Sequence, residues 1–120
     1  MDRKEYYRKL REAWAQAKEL AKTSKYEASY LEAQKMGLKV SMTGYTFCKL
    51  QMEGLRLEGT PYIDAKTYNA WKKSGFIVKR GEKSKLKGVT FVKVEDEDKD
   101  SFMYPKAYSL FHRSQVEPLK

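Results

Sequence analysis

Apolar residues recur every three or four positions as far as Gly75 and gather in short β-rich runs after it. That change of period calls for an α+β fold, with N-terminal helices followed by a small antiparallel sheet. Asp2 and Glu5 have capping-box spacing, and Tyr6, Leu10, Ala13, Trp14, Ala17, Leu20 and Ala21 follow at helical intervals, which predicts an amphipathic first helix. Ser24 and Glu27 repeat the capping spacing and open a second helix that ends near Met36, with Gly37 placed for a left-handed C-terminal residue. A short third helix is expected from about Thr46 to Leu55. Thr60, Pro61 and Asp64 announce a fourth over Ala65 to Ser74, closed by Gly75, with Tyr68 and Trp71 on one face. Strands are expected at Phe76 to Lys79, Gly88 to Val94 and Tyr104 to Phe111. The acidic run Glu95 to Ser101 between the last two reads as a solvated hairpin loop, because it lacks the glycine and terminal glutamate of a calcium-binding loop. With no internal repeat and no linker, residues 1–120 read as a single domain.

A chain of 120 residues can remove roughly two thirds of its unfolded surface from water, so it can hold a core without disulfides or metal. Cys48 is the only cysteine, which excludes an internal disulfide or a cysteine zinc cluster and points to a buried thiol in a reducing compartment. The N-terminus DRKEYYRKLRE lacks the apolar region of a secretory signal, and no apolar run has membrane-spanning length, so a cytoplasmic protein without membrane partners is expected.

Material for catalysis is thin. His112 is the only histidine, and HExxH, GxxxxGK[ST] and GxSxG motifs are all absent. No catalytic residue, metal ligand or cofactor site is therefore expected. A magnesium-dependent nuclease is disfavoured, since the acids fall mainly on helix surfaces or in the acidic loop.

The charge distribution is more informative. From Lys66 to Lys93 nine lysines and arginines face the single acid Glu82, a local +8 in a chain whose net charge is +9. So local an excess is the electrostatic footprint of a protein that meets a polyanion, and nucleic acid is the first candidate. Phosphate contacts are assigned to Lys72, Lys73, Lys79, Arg80, Lys83, Lys85 and Lys87, with Arg113 as a further basic candidate. Base stacking is assigned to a subset of Tyr45, Tyr68, Tyr108 and Phe111. Trp71 lies among the same charges, but a tryptophan on an apolar helix face belongs to the core, here against the first helix. A turn at Gly81 between two strands would set the charges along one edge of the sheet.

The spacing of this segment resembles the N-terminal, single-stranded-DNA-binding domain of ArdC-type antirestriction proteins. The likeness covers roughly the second half of the chain. Thr67, Tyr68, Gly75, Val78, Lys79, Arg80, Gly81, Glu82 and Lys83 match the family's first signature without a gap, and Tyr108, Leu110, Phe111, His112 and Gln115 look like its second. His112 stands where the family usually carries asparagine, and Thr43, Gly44 and Tyr45 match part of an upstream element. The resemblance implies binding of single-stranded DNA with little sequence preference, in the setting of phage or mobile-element DNA shielded from host nucleases. It implies no hydrolytic activity, because the sequence lacks the zinc-binding HExxH helix of the larger members. The rival reading is an inhibitor that binds a host defence complex through its helical half.

Overall fold

The computed structural model describes residues 2–96 and 99–119, and over 94–96 and 99–103 the backbone alone. It is an α+β fold in which helices α1 (Arg3–Ala21), α2 (Glu27–Lys35) and α3 (Met42–Gly54) precede the strands. After them come β1 (Ala65–Lys66), a short α4 (Tyr68–Lys73), β2 (Phe76–Val78), β3 (Leu86–Asp96), β4 (Lys99–His112), a 3₁₀ turn (Arg113–Gln115) and β5 (Val116–Pro118).

The first helix follows its sequence signals closely. Asp2 accepts from the Glu5 amide at 2.8 Å, and Leu10, Trp14 and Ala17 form the face that packs on Phe47, Leu50 and Val89. The Trp14 ring is the contact between layers, with its centroid 5.6 Å from Phe47 of α3 and 5.4 Å from Phe91 of β3. The second helix ends as expected, with Gly37 at φ +98° and the Leu38 amide reaching the Ala33 carbonyl at 3.1 Å. Its start differs: Tyr26, not Ser24, is the N-cap, and no side chain caps it. The Tyr26 hydroxyl instead donates to Glu53 of α3 at 2.7 Å, a tertiary bond that outweighs the local capping preference.

The third helix begins at Met42, four residues before the expected Thr46. Ser41 caps it through the Gly44 amide at 3.0 Å. Thr43 and Gly44 look like turn residues in sequence, yet a Cβ at Gly44 would lie 2.9 Å from Val40 Cγ2, so that glycine serves close packing inside the helix. Thr60, Pro61 and Asp64 do not start a helix. The Asp64 carboxylate accepts from the Thr60 amide at 2.7 Å, closing a turn with Tyr62 at φ +65°, and α4 starts only after Thr67, whose hydroxyl accepts from the Ala70 amide at 3.1 Å.

The sheet is built on β4, in the order β1-β4-β3. Both hairpin strands run into the acidic stretch, Asp96 pairing with Lys99, so the expected loop over Glu95 to Ser101 shrinks; its centre, Glu97 and Asp98, lies outside the described residues. Alternate hairpin residues divide between two layers. Val89 faces α1 and α3, whereas Leu86 and Leu110 join Cys48, Met52 and Ala65 in a second fully buried cluster. The basic segment does not line the edge of one sheet, because β2 pairs with β5 and not with β3. The sequence reading missed β5, as three residues ending in proline carry almost no strand signal.

On the second layer Gly88 sits opposite Tyr108, whose ring lies where a Cβ would be and whose hydroxyl is 2.7 Å from that of Tyr62. Replacing Gly88 by alanine must push that ring aside and break the hydroxyl pair, at a cost of about 1–3 kcal/mol. Thermal unfolding is expected to show the loss in Gly88→Ala, and most of it should disappear when the same change is made in a Tyr108→Ala background.

Candidate nucleic-acid interface

The basic segment divides into a short helix and a turn, both anchored on the end of β4. The turn is a type II turn from Lys79 to Glu82: the Glu82 amide reaches the Lys79 carbonyl at 3.1 Å, and Gly81 takes the required positive φ of +87°. Arg80 is at its tip. Both ends of the turn are tied to Gln115, which is fully buried. The Gln115 carbonyl accepts from the Lys79 amide at 2.9 Å, and its side-chain nitrogen donates to the Lys83 carbonyl at 2.6 Å and to Glu82 at 3.3 Å. Its side-chain oxygen accepts from the His112 amide at 3.0 Å. Ser84 then fastens the outgoing chain, its hydroxyl lying 2.8 Å from the Leu86 carbonyl and 2.9 Å from the Leu110 carbonyl.

The cations of the segment fall into two groups. Lys72, Lys73, Arg80, Lys83 and Lys85 are exposed, and none of their side chains has a hydrogen-bond or ion-pair partner among the described residues. Others are engaged by the fold. Lys79 Nζ reaches the Ser114 carbonyl at 3.3 Å and Lys87 Nζ the Ser109 hydroxyl at 3.0 Å. Lys66 lies 4.9 Å from the centre of the Trp71 ring. Among the described residues no ion pair joins an acid to this open group, and Glu5, Glu12, Glu19 and Glu32 pair with cations one turn away on or just beyond their own helices.

Arg113, expected as a further basic contact, is also engaged by the fold. Its Nε donates to Asp64 at 2.6 Å, Nη2 lies 3.3 Å from the Ile63 carbonyl, and the guanidinium covers Trp71 at 5.1 Å. Burial disfavours the charged form of Asp64, but the Thr60 amide and then Arg113 outweigh it and hold the carboxyl below its ordinary value. Trp71 is core, as expected, though its partner is the end of β4 and not α1: the indole nitrogen donates to the Phe111 carbonyl at 2.8 Å.

The ring assignments narrow too. Tyr45 is 1% exposed and bonded to Ser29 at 3.0 Å, so it has no face to offer a base; the alternating polar residues around it hid that burial in sequence. Tyr108 is half-buried with its hydroxyl engaged, and Phe111 is half-buried on the strand that holds Trp71. Tyr68 is 45% exposed at the start of α4, one helical turn before Lys72, and is the assigned ring with a face in solvent.

His112 and Cys48 are both buried. His112 Nδ1 accepts from the Ser114 amide at 3.1 Å and Nε2 lies 2.6 Å from the Glu58 carbonyl, so the ring is held as a cap with both nitrogens occupied. Burial pushes the Cys48 thiol up to about 12. Among the described residues no three histidines, cysteines or acids are grouped to hold a metal ion, and no helix is long and apolar enough to cross a membrane. No protein-family model, curated protein or solved structure matches the chain.

Two outcomes are expected. Gln115→Leu orphans the His112 amide and the Lys83 carbonyl, and at about 1–3 kcal/mol for each buried group the protein should lose about 2–6 kcal/mol in denaturant titrations. For Asp64 the folded pKa is depressed, so its contribution is complete above the ordinary value of 3.8 and is lost as pH falls through the folded value. The stability gap between the wild type and Asp64→Asn should therefore be constant near neutrality and close below about pH 4; a gap that persists in acid would show that the ion pair is not its source.

Proposed function

We propose that this protein binds single-stranded DNA with little sequence preference, through the Lys79 to Lys85 turn and the C-terminal half of α4. One observation carries the reading: five exposed cations whose side chains lack internal partners sit on a turn and helix end that the buried side chains of Gln115 and Trp71 hold in place. Lysine and arginine side chains of this kind neutralise phosphates and release condensed counterions, and the gain does not depend on base identity. Tyr68, exposed beside Lys72 and Lys73, supplies a face on which an unpaired base can stack, a contact open to any base.

The resemblance to ArdC-type domains supports the same reading, and the residues that carry it have identifiable work here. Thr67 caps α4, Gly75 and Gly81 take positive φ, and Glu82 and Gln115 bond one another beneath the turn. Action is by occupancy: bound protein keeps nucleases from the strand, which suits a phage or mobile element in a host cytoplasm, and no bond is made or broken. A second reading, an inhibitor docking on a host defence protein, draws on Leu31 and Met36, apolar and exposed at 48% and 70% on and just after α2.

Fluorescence anisotropy with labelled single-stranded DNA, duplex DNA and RNA over a salt series tests the proposal. If about four phosphates are neutralised, log affinity should fall against log salt with a slope near −3, taking about −0.7 per contact. Changing Arg80, Lys83 and Lys85 together to alanine should weaken binding and flatten the slope by about 2. A flat response in the wild type, or unchanged binding by the triple variant, removes this surface as the site.

A further inference from the structure

Where β3 leaves the basic turn it meets an open recess of about 440 Å³ between α1, α3 and the hairpin, with Tyr6, Leu10, Ala13, Leu50, Ala107 and Lys87 among its lining residues. That volume is in the range of small-molecule sites, roughly 300–1,000 Å³. Its walls are mainly apolar, with Gln16, Gln51 and Lys87 as the polar members, and the Tyr6 ring is 43% exposed. Lys87 is the one member of the basic segment among the residues that line it.

Lys87 is held in place more firmly than its neighbours. Its amide donates to Gln51 Oε1 at 2.9 Å and its carbonyl accepts from Gln51 Nε2 at 2.7 Å, so a side-chain amide of α3 takes the place of a neighbouring strand at the sheet edge. Its ammonium is directed across the strand to the Ser109 hydroxyl at 3.0 Å. Lys83, Lys85 and Lys87 are successive alternate residues, so along extended chain they step from the turn to the recess about 7 Å at a time.

An apolar recess with an exposed ring and a fixed cation at the end of a phosphate-binding run fits a planar apolar group attached to an anion. We infer that the recess takes an unpaired nucleobase of the bound strand, stacked on Tyr6, with the adjoining phosphate on Lys87. The inference rests on the single-strand-binding reading and extends its contact surface from the turn to α1.

The test compares a labelled thymidine oligomer with an abasic deoxyribose-phosphate oligomer of the same length, for the wild type, Tyr6→Ser and Ala13→Leu. Both positions are exposed on α1, so helical circular dichroism should be unchanged, and if Tyr6→Ser loses it Tyr6→Leu takes its place, keeping an apolar side chain without the aromatic ring. The wild type should prefer the thymidine oligomer. Tyr6→Ser and the recess-filling Ala13→Leu should each lower affinity for it by roughly tenfold, a typical value for one lost stacking contact, while leaving abasic binding and the salt slope as they were. Equal wild-type binding of the two oligomers, or thymidine affinity unaltered in both variants, overturns the recess site but leaves phosphate binding by the turn intact. Failure of the wild type to bind either oligomer overturns both.

Discussion

Like charges crowded on a tight turn repel one another, and Arg80, Lys83 and Lys85 have no acid set among them to relieve it except Glu82. What holds their backbone is a neutral group, the buried amide of Gln115, which bonds the Lys83 carbonyl on one side and the His112 amide on the other. An ionised residue at this position would either neutralise the turn or add to the repulsion. A glutamine does neither, and its two-sided amide can satisfy a carbonyl and an N–H at once. The end of β4 is thereby made the common anchor, since Trp71 bonds Phe111 there, Ser84 bonds Leu110, and β1 pairs with Phe111 and His112. An anion bound at the turn, as proposed, would have side chains alone to order, because hydrogen bonds already fix the backbone.

The fold class and the first helix were legible because their signals are local and periodic: a cap at Asp2, an apolar face at intervals of three and four, and a change of period at Gly75. The errors share a different origin. Ser24, Thr60 and Asp64 are residues with strong capping preference, and each lost its expected role to a contact far away in sequence or to a turn that competes for the same oxygen. Asp64 shows this most clearly, for the carboxylate that suggested a helix start is shared between the Thr60 amide and Arg113, 49 residues on. Strand pairing is likewise non-local, so nothing near Phe76 could reveal that Val78 pairs with Val116 instead of joining β3.

The candidate site was legible as charge and not as geometry. Composition alone cannot separate Arg113 from Arg80, yet the structure sorts them by what their donors already touch. Arg113 has its Nε on a carboxylate, an Nη on a carbonyl and its plane on Trp71, and removing it would leave Asp64 partly buried without its counter-charge. The Arg80 side chain has no hydrogen-bond or ion-pair partner among the described residues. Rings sort in the same way, with Tyr45 closed in beneath Tyr30 at 5.4 Å while Tyr68 stands open.

The same sorting predicts how the surface can evolve or be engineered. Engaged cations such as Lys66, Lys79 and Arg113 carry packing over the Trp71 ring or fix the 3₁₀ turn, so their loss lowers stability along with any binding. Those without partners have no side-chain hydrogen bond or ion pair among the described residues, and side chains of this length give up as much as about 2 kcal/mol of rotamer freedom when fixed. Fixing them is therefore favourable only when a phosphate supplies the Coulomb energy and counterion release that the fold withholds. A set of side chains without internal hydrogen bonds or ion pairs can be changed in number without disturbing Gln115 and the end of β4, so the binding proposed for them is separable from the stability of the domain.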